Sequence, residues 1–165
     1  MTKLQFRNED ARIAYLATIY HLGRPGSETH AQTLQKHDLG LQAIHDAMLP
    51  NLEQAIVEVE ASPFQLLKLN EALLGVTNEL KQFSISEGRS TVPRFADTLT
   101  SLYPETGEDP GAAMDIVTHA VMLQRRLGGA VANAQADIAA RSQDAAARNG
   151  SARGRPWWKL WARES

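Results

Sequence analysis

Five histidines stand in a chain that has no cysteine. Any metal or acid–base chemistry must therefore come from imidazole, carboxylate and hydroxyl groups, and Cys-ligated zinc and thiolate nucleophiles are excluded. His30, His37 and His45 fall within about 60° of one another if their segment is one uninterrupted helix, yet His30 and His37 are then about two turns, roughly 10 Å, apart along its axis. Side chains so separated share a metal only if another helix inserts ligands between them, and the Glu-x-x-His pairs of di-iron bundles are absent. No phosphate-cradling glycine loop, Gly-x-Ser-x-Gly elbow or His-Glu-x-x-His stretch occurs. These residue types predict a non-enzymatic chain with no cofactor, no metal and no catalytic residues.

Two His-Asp doublets, His37-Asp38 and His45-Asp46, place an imidazole beside a carboxylate. His37-Asp38-Leu39-Gly40 resembles the His-Asp doublet of the HD phosphohydrolases, an all-helical metal-dependent family, over about four residues. The resemblance implies His37 and Asp38 as metal ligands, with His21 and Asp115 the nearest fits to the upstream His and downstream Asp. An HD-like metal-dependent phosphohydrolase is thus the enzymatic alternative.

A different chemistry is concentrated at the C-terminus. All three tryptophans lie in Trp157-Trp158-Lys159-Leu160-Trp161, which follows Pro156 and precedes Ala162-Arg163. Wound as a helix with proline in its first turn, Trp157, Trp158, Leu160 and Trp161 occupy an arc of about 160°, and Lys159 and Arg163 lie opposite. An aromatic face backed by a basic one suits the interface of an anionic membrane. It also suits a groove on a protein partner, or the chain's own core. Charge separates the tail from the rest. Residues 141–165 hold six basic and two acidic side chains, net +4, which leaves net −6 on the body. An acidic body carries no basic stripe for nucleic acid, so a regulator that contacts nucleic acid would have to use the tail.

The elements that must present these residues are helical almost throughout. Asn8 is the expected N-cap of a first helix with Ile13, Leu16, Ala17 and Tyr20 on one side, ended by Gly23 and the turn Arg24-Pro25-Gly26. A second helix is expected after Ser27, with Leu34, Leu41, Ile44 and Met48 on one stripe, broken at Pro50; Leu52, Ile56 and Val59 continue the helical spacing beyond it. Ser62-Pro63-Phe64-Gln65 is a capping box with proline at the first helical position. The helix it opens carries Leu66, Leu69, Leu73, Val76, Leu80 and Phe83, widened by Leu67 and Leu74, and is expected at the centre of the core. A polar loop over residues 84–91 leads to a shorter helix with Phe95, Leu99 and Tyr103, which stops at Pro104. From Asp109-Pro110 onward runs the longest helical pattern. Gly128-Gly129 interrupts it and costs about 2 kcal/mol of helix propensity, which suggests close backbone approach or a bend.

At 165 residues one domain fits without disulfide or metal staples. The expected architecture is all-α. A bundle of about five helices spans residues 1–148, a flexible linker residues 149–155, and the amphipathic tail residues 156–165. The alanine-rich last helix predicts self-association through Ala120, Leu127, Ala130 and Ala134, because small side chains let backbones approach. No signal-like or membrane-spanning stretch is present in the sequence, so the expected location is cytoplasmic, at the inner face of a membrane where the tail engages lipid. The resulting expectation is a self-associating helical adaptor whose tail docks to a partner protein or an anionic membrane surface.

Overall fold

The computed structural model describes residues 1–24 and 40–152, with side chains through Arg148. It is mostly helical, consistent with the helical class expected, and adds one short two-stranded sheet. Thr2–Arg7 (β1) and Ile56–Ala61 (β2) form a two-stranded antiparallel sheet, with Leu4 opposite Val59 and Phe6 opposite Val57. β2 alternates throughout and β1 from Lys3 onward: Leu4, Phe6, Val57, Val59 and Ala61 are buried, and Lys3, Gln5, Glu58 and Glu60 face outward. On that outer face Gln5 Nε2 donates to Glu58 Oε1 at 2.6 Å. The helical spacing of Leu52, Ile56 and Val59 is therefore misleading, because the period-2 pattern of Val57-Glu58-Val59-Glu60-Ala61 governs here.

Six α-helices lie among the described residues: α1 (Asn8–Gly23), α2 (Gln42–Met48), α3 (Pro63–Ile85), α4 (Phe95–Leu102), α5 (Glu105–Glu108) and α6 (Ala113–Ala152). A 3₁₀ turn over Leu49–Asn51 follows α2, where Pro50 cannot continue the α-helical hydrogen bonding.

Helix α1 occupies the centre. Every residue from Ile13 to Ile19 is buried, so the helix is covered around its whole circumference. The helix after Ser62 was expected there. Instead α3 keeps Leu74 exposed and Leu67 half-buried, and turns its buried stripe, Leu66 to Phe83, toward α1 and α6. Where α3 crosses α1 the two come very close. A Cβ on Gly75 would stand 2.1 Å from the Tyr20 ring, so only glycine fits.

Asn8 is not the N-cap of α1. Arg7 holds that position without a side-chain bond, because β1 runs directly into the helix. Asn8 Nδ2 instead donates to Leu52 O (2.6 Å) and Gln54 O (3.3 Å), which ties the start of α1 to the chain entering β2. The capping box is present as expected, with Gln65 N donating to Ser62 Oγ (3.2 Å) and Ser62 N to Gln65 Oε1 (2.9 Å). Gln65 Nε2 also donates to Gly40 O at 2.8 Å, in a buried position. One side chain thus starts α3 and fixes the approach to α2.

The last helix, α6, is 40 residues long, about 60 Å. Its first part lies along α3, and an ion pair between Arg126 and Asp10 joins it to α1. Gly128 and Gly129 have no neighbour within 4 Å of where a Cβ would stand, so neither marks a close approach. The helix runs through Ala152 and so covers the first residues of the expected linker. No helix among the described residues is long and apolar enough to cross a membrane.

Candidate functional site

Helix α4 starts at Phe95, and its buried side, Phe95 and Leu99, faces the core. The neighbouring stripe, Arg94, Asp97, Thr98, Ser101 and Leu102, repeats at the three- and four-residue spacing of one helical face. It forms one wall of a hollow of about 490 Å³. Leu49, Pro50, Leu52 and Glu53, from the 3₁₀ turn and the chain after it, form the facing wall, and Tyr15 of α1 lies at the base. A volume of that size is within the range of small-molecule sites.

The side-chain polar groups in this hollow take no hydrogen bond or ion pair among the described residues. Tyr15 is only 5% exposed, yet its hydroxyl makes no hydrogen bond among the described residues. Burial raises the phenol's pKa, the nearby Arg94 charge opposes the rise, and Asp46 adds to it, so the hydroxyl stays protonated and able to donate. The Arg94 side chain has no ion pair or hydrogen bond among the described residues, and the same holds for the side chains of Glu53, Asp97, Thr98 and Ser101. Arg94 also has φ of 65°, the left-handed region, at the N-cap of α4. A non-glycine residue there costs about 1 kcal/mol. Such strain is characteristic of places where a side chain is held in position for a purpose outside packing.

Behind Tyr15 stands His45, whose ring stacks on the phenol with centroids 5.0 Å apart. Its Nδ1 lies 2.9 Å from Asp46 Oδ1, which also accepts from Gln42 Nε2 at 2.8 Å. The carboxylate accepts from Nδ1–H, so in the neutral ring Nε2 is a bare acceptor. That atom is buried and has no hydrogen-bond partner among the described residues. His45 and Arg94 also line a second hollow of about 410 Å³, with Ile19, Leu22 and Pro93 as its apolar wall. The stacked Tyr15–His45 pair therefore stands between two hollows, and Arg94 borders both.

Of the residues singled out in the sequence, His45 and Asp46 stand beside these hollows, and the other described ones fall elsewhere. Ala120, Leu127 and Ala134 are buried and Ala130 is partly buried against the same core, so the stripe expected to pair two copies is covered within one chain. Their small side chains serve the close packing of α6 on its own neighbours. Of the HD-like set, His21 is half-buried on α1 and Asp115 is exposed in the first turn of α6, whereas His37 and Asp38 lie outside the described residues. So do His30 and the tail residues Trp157, Trp158, Lys159, Leu160, Trp161 and Arg163. Among the described residues no three His, Asp or Glu side chains form a metal-ligating group.

The polar loop after α3 is internally bonded. Ser86 Oγ donates to Gln82 O and lies 2.7 Å from Arg89 O, and Ser90 Oγ donates to Glu79 Oε1 at 2.6 Å. Tyr15 and Arg94 were missed in the sequence because no local motif joins them. The one available signal was the polar i, i+3, i+4, i+7 stripe on α4.

No protein-family model, curated protein sequence or solved structure matches this chain.

Proposed function

We propose that the protein is a non-enzymatic helical adaptor, in which α6 serves as an arm that carries the Trp-rich tail away from the body. The observation that supports this is the exposure of the arm. Beyond Ala134 every side chain through Arg148 is exposed except the half-buried Ile138, yet the helix continues to Ala152. Eighteen residues, 135–152, extend it by about 27 Å.

A helix with no buried face contributes nothing to a core, and its sequence is suited to standing alone. Ala136, Ala139, Ala140, Ala145, Ala146 and Ala147 have the highest helix propensity. Asp137 with Arg141, and Asp144 with Arg148, have the i, i+4 spacing in which an N-terminal acid favours the helix. Such segments act as semi-rigid spacers. Placing Trp157, Trp158 and Trp161 at the end of a spacer makes them available to a partner protein or an anionic membrane surface.

Self-association belongs to this proposal, and its surface is the arm, since Ala120, Leu127 and Ala134 are already used inside the chain. Two or more arms together would present several tails and raise a weak attachment by avidity.

The test compares full-length protein with a form lacking residues 149–165 and with Trp158→Ala/Trp161→Ala. The readouts are flotation with vesicles rich in anionic lipid and capture of partners from a lysate. Attachment should be lost in both altered forms while the far-ultraviolet helical signal of the body is unchanged. Equal attachment of all three proteins rejects the proposal. Sedimentation that shows only monomer at tens of micromolar removes self-association from it.

A further inference from the structure

Among the described residues, the hollow between α4 and the 3₁₀ turn takes no lining residue from the arm. We propose that it binds a small zwitterion of the amino-acid class with an apolar side chain.

The charges are arranged for such a ligand. Arg94 and Asp97 are three residues apart, on one face of the chain entering α4, and both line the hollow, yet they do not pair with each other. A positive and a negative group held side by side and left open match a molecule whose own carboxylate and ammonium are only a few ångströms apart. The ligand carboxylate meets the Arg94 guanidinium, and its ammonium meets Asp97, with Glu53 on the facing wall as a second acceptor. A simple anion is disfavoured by those two carboxylates, and a simple cation by Arg94.

Tyr15 is the independent observation. A phenol 5% exposed, with a hydroxyl that takes no hydrogen bond among the described residues, lines the same hollow. The ring is buried while the hydroxyl is left free to donate into the hollow, and a carboxylate oxygen of the ligand supplies an acceptor for it. Because Tyr15 remains protonated, it donates to that oxygen beside Arg94. The apolar side of the hollow, Leu52 and Leu102, receives the ligand's hydrocarbon side chain. At about 490 Å³ the hollow has room for any single amino acid.

Calorimetric titration of the full-length protein with L-leucine and with L-phenylalanine tests the proposal, alongside N-acetyl-L-leucine, which lacks the ammonium, and L-leucinamide, which lacks the carboxylate. Saturable binding of at least one free amino acid is expected, with a loss of about tenfold or more for either blocked form. Arg94→Gly should abolish the preference for the free carboxylate while preserving the fold, since glycine accepts the left-handed backbone. Tyr15→Phe should weaken binding severalfold, and Asp97→Asn should abolish discrimination against N-acetyl-L-leucine. Removal of residues 149–165 should leave binding unchanged, which keeps this result separate from the fate of the tail.

No saturable binding up to about 10 mM overturns the proposal. So does equal binding of free and blocked forms, or binding unaffected by Arg94→Gly. If one blocked form binds as well as the free amino acid, the site takes a single charge and the zwitterion assignment is wrong.

Discussion

The two parts of α6 are equally helical, yet they differ in composition and in circumstances. From Ala113 to Ala134 the helix presents Ile116, Ala120, Leu123, Leu127 and Val131 to α3 and its neighbours, and these side chains are buried. From Gln135 to Arg148 the helix is richer in alanine, keeps Ile138 as its one large apolar side chain, and is almost wholly exposed. The first part is helical because tertiary packing holds it, and it would be helical with poorer formers. The second is helical because alanine and spaced charge pairs favour the helix, and a few poor formers would end it. Helical content thus says little about where stability resides, which is set by burial.

The largest break in this comparison comes from the packed part. Leu123 is 2% exposed, so Leu123→Ala should cost about 2–5 kcal/mol in a denaturant titration. A loss below about 1 kcal/mol would show that this part is held no more firmly than the arm. Next in size is Gly75→Ala, at the crossing of α3 with α1. Its Cβ would overlap the Tyr20 ring, and overpacking of this kind costs about 1–3 kcal/mol. An unchanged thermal midpoint would mean that the crossing is looser than described.

The glycines of α6 should behave in the opposite sense. With nothing within 4 Å of the added methyl, Gly128→Ala and Gly129→Ala should each stabilise the protein by about 1 kcal/mol through helix propensity. Destabilisation by either would reveal a close neighbour, such as a second copy. The smallest effect belongs to the arm. Ala140→Gly should change global stability by less than about 0.5 kcal/mol while increasing amide exchange from residue 135 onward. A large global loss would place the arm inside the cooperative core.

The elements that could be read from the sequence were those with one dominant period and a local start signal. Ser62-Pro63-Phe64-Gln65 is such a signal, and α3 begins there with both capping hydrogen bonds formed. The end of α1 at Gly23 and the break at Pro50 follow equally local chemistry. The sheet was hidden because two periods compete after Pro50. Leu52, Ile56 and Val59 fit a helix, and Val57, Val59 and Ala61 fit a strand; pairing with β1, fifty residues away, decides between them. Asn8 was misassigned for a related reason, since its partners Leu52 and Gln54 are remote in sequence. The hollow draws on residues 15, 49–53 and 94–102, and no local pattern predicts that they meet. The stripe Ala120, Leu127, Ala130 and Ala134 was correctly seen as small and helical, but spacing alone does not say whether the surface that covers it belongs to the same chain.

The pairing of β1 with β2 has a consequence for how the molecule assembles. Thr2 lies opposite Ala61, so β1 has no partner until some sixty residues have followed it. Until then the inward side chains Leu4 and Phe6 have no cover, and closing so long a loop costs conformational entropy before the sheet returns any. Helix α1, which continues directly from β1, must await β2, α2 and α3 before its full circumference is enclosed. Folding of the body is therefore expected to be late and concerted, and its rate should be governed by how quickly the segment after Pro50 finds β1.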